Sequence, residues 1–224
     1  MSLEPIRMGL SRSDRFGFGC GRCGACCSHK RIPLNPYEIA RLAARLGITT
    51  TRFIDAHTAD AGSFLRFDAD GKCPFLRDKG CDVHADRPLA CRLYPLGRHI
   101  EASGAESFLE LRAEPECALV ARDDRSVGDW LDEQGTAPFI AATDLYLDLL
   151  WKVLVAYHAH APRVPVEPPA TDPDQEARDW LDIDAVLARH GATAETDVEN
   201  RMRMHIHFIE EELDSQESHH EEIT

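Results

Sequence analysis

The chain reads as an α+β protein, an irregular metal-organised module with short hairpins followed by a mainly helical C-terminal part. Three observations predict this. All eight cysteines fall between Cys20 and Cys117, and none follows. Short apolar runs in that front half are punctuated by Asp70-Gly71, Lys79-Gly80 and Ser103-Gly104, dipeptides that turn a chain back on itself. Residues 139–158 are long, strongly apolar and helical in character. The expected division is a cysteine-cluster metal-binding module over 15–125 and a helical region over 126–224, the latter interrupted by a Pro-rich connection at about 161–173.

Residues 1–19 read as an irregular lead-in, with Gly17 and Gly19 loosening the approach to Cys20. The first helix signal is Asn35 as N-cap, Pro36 at the first helical position and Glu38 closing a capping box. Ile39, Leu42, Ala43 and Leu46 form its apolar face, and Gly47 stops it. A second helix is expected over 51–57, with Phe53 and Ile54 inward. Residues 63–76 predict two strands turned at Asp70-Gly71, with another turn at Lys79-Gly80, and residues 98–102 and 107–113 predict a hairpin across Ser103-Gly104. Helices are expected over 127–133, 139–158, 174–190 and 197–213, with a frayed polar end from Ser215.

The chemistry is concentrated in Cys20-Gly-Arg-Cys23-Gly-Ala-Cys26-Cys27, which places four of the eight thiols in eight residues. Thiolates two residues apart in a tight turn can point at one centre, so C-x-x-C recurs in zinc and iron–sulfur sites. Cys20, Cys23 and Cys26 repeat that spacing as the cluster-binding run of bacterial ferredoxins does, with a distant cysteine as fourth ligand. Cys27 is placed to serve a second centre. Cys73, Cys81, Cys91 and Cys117 complete two four-thiolate sets. Buried structural thiols do not explain such density. Disulfides do not suit a cytoplasmic protein with an adjacent Cys-Cys pair, and a thioredoxin-type motif needs a helix directly after the cluster. Zinc and iron–sulfur both accept thiolates; the dense run favours iron–sulfur, whereas zinc ribbons present paired C-x-x-C on separate hairpins.

Charge is unevenly spread. Residues 1–100 carry 16 Lys+Arg against 10 Asp+Glu and residues 101–224 carry 9 against 29, within a total of −14. Four thiolates on a divalent ion leave a net charge of about −2, which nearby arginines offset. The acidic total disfavours nucleic acid. Asp144, Asp148 and Lys152 interrupt the apolar stretch and argue against a membrane span, reading instead as a solvated stripe with an Asp–Lys pair. The N-terminus lacks the pattern of a secretory signal, so a cytoplasmic location is expected.

The cysteine run, then Cys73-Pro-Phe-Leu, Cys81-Asp-Val-His and Arg87-Pro-Leu-Ala-Cys91-Arg-Leu-Tyr-Pro95, resembles the YkgJ-type CxxCxxCC cysteine-cluster family, described as zinc- or iron-chelating and often labelled Fe–S-cluster-containing. The resemblance covers about residues 17–120 and implies metal or cluster ligation by all eight cysteines. His84 stands where an aromatic residue is expected. One relative, the flagellin lysine methylase, uses S-adenosylmethionine; this chain has no glycine-rich methyltransferase motif, so that activity is not carried over. Arg87 and Arg92 flank Cys91 as candidate hydrogen-bond donors to cluster sulfurs, or as partners of Asp82 and Asp86. His29, His84 and His99 are weaker candidate ligands. His205 and His207 face different ways on a helix, and His219-His220 is a loose tail pair.

The functional expectation is an iron–sulfur protein, [4Fe–4S] in type, serving electron transfer or an accessory redox step with a redox or protein partner. The alternatives are a zinc-binding structural or adaptor protein, and an enzyme with a pocket between the metal module and the helical part.

Overall fold

The computed structural model describes residues 5–78, 80–101, 103–114, 117, 124–160, 178–192 and 196–221. It is α+β, as expected, and its contacts divide it into two compact units. One comprises Met1–Pro33 with Arg66–Phe139, the other Leu34–Leu65 with Ile140–Thr224. The Pro-rich stretch at 161–173 lies outside the described residues.

The first unit holds a three-stranded antiparallel sheet. Strand β6 (Leu96–Ile100) pairs with β7 (Glu106–Leu111) in the register Leu96↔Glu110 through Ile100↔Glu106, making the expected hairpin across Ser103-Gly104. Strand β1 (Pro5–Leu10) joins the other edge of β7. This corrects the irregular lead-in expected there. Ile6, Met8 and Leu10 do alternate with Arg7 and Gly9, but only Leu10 is buried. The strand is held by its backbone ladder and by ion pairs, Arg7–Glu110 at 3.2 Å and, just beyond its end, Arg12–Glu106 at 2.6 Å.

The same unit contains an aromatic core that anchors the start of the cysteine run. Phe16 and Phe18 meet Trp130 edge-on, with ring centroids 5.8 and 5.3 Å apart, and Phe18 meets Tyr94 at 6.2 Å. Trp130 comes from α4 (Val127–Glu133), which begins in a reciprocal capping box between Ser126 and Asp129. Its indole N–H donates to the Leu93 carbonyl at 3.2 Å, so the ring is buried without an unsatisfied donor. Leu93 ends the short helix α3 (Leu89–Leu93), which carries Cys91.

In the second unit, α1 (Pro36–Leu46) starts at Asn35, whose side chain accepts from the Glu38 N–H at 2.9 Å while Glu38 accepts from the Asn35 N–H at 3.0 Å. Gly47 ends it at φ 68°, as expected. Ile39, Leu42 and Ala43 are buried, whereas Leu46, expected on the same face, is exposed. Helix α2 (Thr50–His57) buries Phe53 and Ile54. Helices α5 (Ala137–His160), α6 (Ile183–Arg189) and α7 (Val198–Glu221) follow. The Thr50 hydroxyl bonds Asp182 at 2.6 Å and the Thr50 N–H donates to Asp184 at 2.7 Å, tying the start of α2 to the start of α6. Asp182 also caps α6, and the helix expected over 174–190 is interrupted: Arg178 and Asp179 are helical, the chain turns over 180–182, and α6 starts at Ile183, residues 174–177 being outside the description. The tail expected to fray from Ser215 continues α7 to Glu221, because no Gly or Pro interrupts it there.

The hairpin expected over 63–76 does not form. Strand β3 (Phe64–Leu65) pairs back with β2 (Thr58–Ala59), while β4 (Leu76–Arg77) pairs forward with β5 (Gly80–Cys81). The Asp70-Gly71 turn is present and is held by the Asp68 side chain, which accepts from the Asp70 and Lys72 N–H groups at 3.0 and 2.8 Å. Lys72 and Cys73, just past the turn, pair instead with the chain around Cys27.

On α5, Leu149 is buried and Leu147, Leu150, Trp151, Leu154 and Val155 face outward. Asp148 and Lys152 are exposed as expected, whereas Asp144 of the same stripe is half-buried, and Lys152 forms its ion pair with Glu210 on α7. No helix among the described residues is long and apolar enough to cross a membrane.

Candidate metal centre

All eight cysteines belong to the first unit and all are reduced. Local structure explains how they converge. After the Phe16–Phe18 anchor the chain turns at Arg22, then at Gly24, whose φ of 78° opens a 3-10 turn over Ala25–Cys27. The positive φ favours glycine at this position, and a Cβ there would stand 2.9 Å from the tip of the Leu76 side chain on β4, so the cysteine run lies closely against that hairpin.

From Cys27 the backbone runs antiparallel to residues 71–73. The Cys73 N–H donates to the Cys27 carbonyl at 2.9 Å, Ser28 bridges Lys72, and the His29 N–H donates to Gly71 at 2.6 Å. Cys73 is thereby laid beside the end of the run. The hairpin β4–β5 then turns Cys81 back opposite Leu76. At the far end, the Tyr94 hydroxyl accepts the Glu114 N–H at 2.7 Å and Lys30 pairs with Glu114, while the Cys117 N–H donates to the Glu114 carbonyl at 2.9 Å. That chain of contacts returns Cys117 to the run, and its sulfur lies 3.6 Å from that of Cys23.

The electrostatics record the same gathering. The Cys26 thiol is pushed up strongly by its hydrogen bond with Cys27 and by burial, with Cys23 adding to it. Burial raises Cys73 and Cys81, and each also feels Cys26. Cys117 is pushed up to about 12 by burial, by its bond with Cys23 and by the charges of Cys26 and Cys20. Thiols so placed resist ionising together, since each thiolate disfavours the next. A cation among them removes that penalty, so this donor set fits a thiolate-ligated metal or cluster. The sulfurs are gathered but not yet in array: among the described residues, no three His, Cys, Asp or Glu side chains stand ready to hold a metal ion.

The two arginines occupy different places. Arg87 is buried, and its charge is felt beside Cys91, Cys20 and Cys81. It donates to Gln134 Oε1 at 2.6 Å and to the His84 carbonyl. Arg92 donates to the carbonyls of Arg87 at 2.9 Å, Gln134 at 2.6 Å and Ala85, and its guanidinium stacks 3.8 Å from the Phe139 ring centre. It braces the loop that presents Arg87. His84 Nδ1 lies 3.2 Å from the Arg87 guanidinium, and its pKa falls to about 4 through burial and that neighbouring charge. His29 and His99 are exposed. His205 is buried in the second unit and His207 is exposed, as their spacing predicts.

Gln134, Glu114 and Lys30 were not legible as positioning residues. Each acts across a long sequence separation and none lies in a recognisable motif. Tyr94 carried a signal, being inside the Arg-Pro-x-x-Cys-Arg-x-Tyr-Pro segment.

Residues 19–118, a little under half of the chain, match the CxxCxxCC family model, whose description is "Putative zinc- or iron-chelating domain". The match supports metal binding by the cysteine cluster. No curated protein and no solved structure matches the chain.

Proposed function

We propose that this CxxCxxCC domain carries an iron–sulfur cluster, [4Fe–4S] in type, and that the protein serves electron transfer or an accessory redox step in the reducing cytoplasm. The observation that carries this reading is the convergence of the thiols on Cys26, with the charge of a buried guanidinium, Arg87, felt by three of the other cysteines. When bound, such a cluster supplies a one-electron couple. The chain's own residues supply the rest. The cysteines act as thiolate ligands. Arg87 offers positive charge to Cys20, Cys81 and Cys91, which favours the more negative, reduced state. Phe16, Phe18 and Trp130 exclude water at the start of the run, while Cys20 and Cys23 remain exposed, leaving a short path for electrons to a partner.

A second reading, a structural or adaptor zinc protein, is favoured by one distance. With Zn–S bonds of about 2.3 Å, the edge of a tetrahedral thiolate site is about 3.8 Å; Cys23 and Cys117 stand 3.6 Å apart.

Metal and acid-labile sulfide analysis, with a visible spectrum, on protein purified without oxygen separates the two. Iron and sulfide in equal amounts, with absorbance that bleaches on reduction, are the expected result. Zinc without sulfide or colour would replace the redox reading with the structural one.

A further inference from the structure

Cys23 and Cys117 are 94 positions apart in sequence, yet their sulfurs are 3.6 Å apart and both are reduced. Closing that gap to the ~2.05 Å of an S–S bond is a displacement on the scale of a side-chain torsion. Cys26 and Cys27 are also in contact, but adjacent Cα atoms are held ~3.8 Å apart by a trans peptide, below the ~4.4–6.8 Å that a disulfide spans. Cys23 is exposed, so a small oxidant reaches it directly, and Cys117 is half-buried behind it.

The geometry points to a specific oxidative latch: once metal has left the site, hydrogen peroxide joins Cys23 to Cys117. The Cys23 thiolate attacks one peroxide oxygen, the O–O bond breaks, and the departing hydroxide takes the thiol's proton as water. Cys117 then attacks the resulting sulfenic sulfur; the S–S bond forms, the S–O bond breaks and a second water leaves. Two thiols are oxidised by two electrons and one peroxide is reduced. The bond pins the cysteine run to the segment after β7, closes the site to metal while it lasts, and is undone by a thiol reductant. This rests on the metal-binding reading in one respect, that bound thiolates are shielded from the oxidant.

The test is peptide mapping of the full-length chain purified without oxygen, with and without prior chelation, after one equivalent of hydrogen peroxide and alkylation of remaining thiols. Tryptic cleavage puts Cys23 in peptide 23–30 and Cys117 in peptide 113–122. The expected result is a dithiothreitol-sensitive cross-link of these two peptides in the chelated sample, with fragment ions placing it on Cys23. It should be several-fold weaker without chelation. It should also be lost in Cys117→Ser and kept in Cys27→Ser. Pairing of Cys117 with another cysteine, or its oxidation to sulfinic acid without a cross-link, overturns the latch in the wild-type map alone. A cross-link that forms equally without chelation, in protein that holds no metal, leaves the latch standing and removes the metal-binding reading instead.

Discussion

Arg87 and His205 show how single side chains set the behaviour of each unit. Arg87 is held in place by Gln134 and the His84 carbonyl, and its own carbonyl is braced by Arg92, with its charge close to Cys20, Cys81 and Cys91. At ~10 Å and an effective dielectric of ~20, one charge is worth on the order of 1–2 kcal/mol. For a one-electron couple that is roughly 40–90 mV. On the proposed iron–sulfur reading, Arg87→Gln should therefore lower the cluster's midpoint potential by an amount of this order, measured by spectroelectrochemistry; an unchanged potential would leave Arg87 a purely structural role. His205 is buried, with its Nε2 2.9 Å from the Trp180 carbonyl and Nδ1 without a hydrogen-bond partner. Burial lowers its pKa from 6.5 to about 4, so the folded chain prefers the neutral ring. The unfolded chain binds the proton first. This stability is therefore complete above the unfolded pKa and is lost as pH falls from 6.5 towards 4, on the order of 3 kcal/mol in all. Urea melts from pH 7 to 4 should show that slope, and His205→Gln should flatten it.

Among the elements, the pairing of residues 27–29 with 71–73 does most to assemble the site, and it depends on Gly71. Its φ is 73°, and a Cβ there would stand 2.3 Å from His29 Nδ1. Gly71→Ala should cost about 1–3 kcal/mol from backbone strain, with the displaced ring adding to it, and should reduce retained metal. Gly104→Ala is the matched comparison, because that glycine also has positive φ, 82°, but open space around it. Equal losses of melting temperature and of metal in the two variants would show that the His29 contact is immaterial. Helix α1 needed no such long-range partner to be read, since Asn35, Pro36, Glu38 and Gly47 are a complete local start-and-stop signal. Strand β1 needed one. Its apolar alternation spans three residues, and its pairing with β7 lies about a hundred positions away, so nothing nearby distinguished it from a loop.

For the molecule as a whole, thiol chemistry and helix packing are segregated between the two units, and metal removal should expose this. Chelation of the full chain should abolish the near-ultraviolet signal of the Phe16–Phe18–Trp130 core while most of the helical signal at 222 nm survives, because α1, α2, α6 and α7 lie in the unit without cysteines. A single transition in which both signals vanish together would mean that the units fold as one. The α+β class, the caps of α1, the inward Ile39, Leu42 and Ala43 of α1 and Phe53 and Ile54 of α2, the β6–β7 hairpin and the dense C-x-x-C-x-x-C-C run were legible in the chain alone, because each is written in local spacing: a 3.6-residue period, a turn dipeptide, two residues between cysteines. Which thiols touch, that the charge of Arg87 reaches the cysteines while Arg92 braces its loop, and that residues 34–65 pack with the C-terminal helices emerged from the folded chain. Those facts depend on pairings such as Thr50 with Asp182 or Cys23 with Cys117, which join residues 132 and 94 positions apart and are chosen by burial and hydrogen-bond satisfaction across the fold, not by any neighbour in the chain.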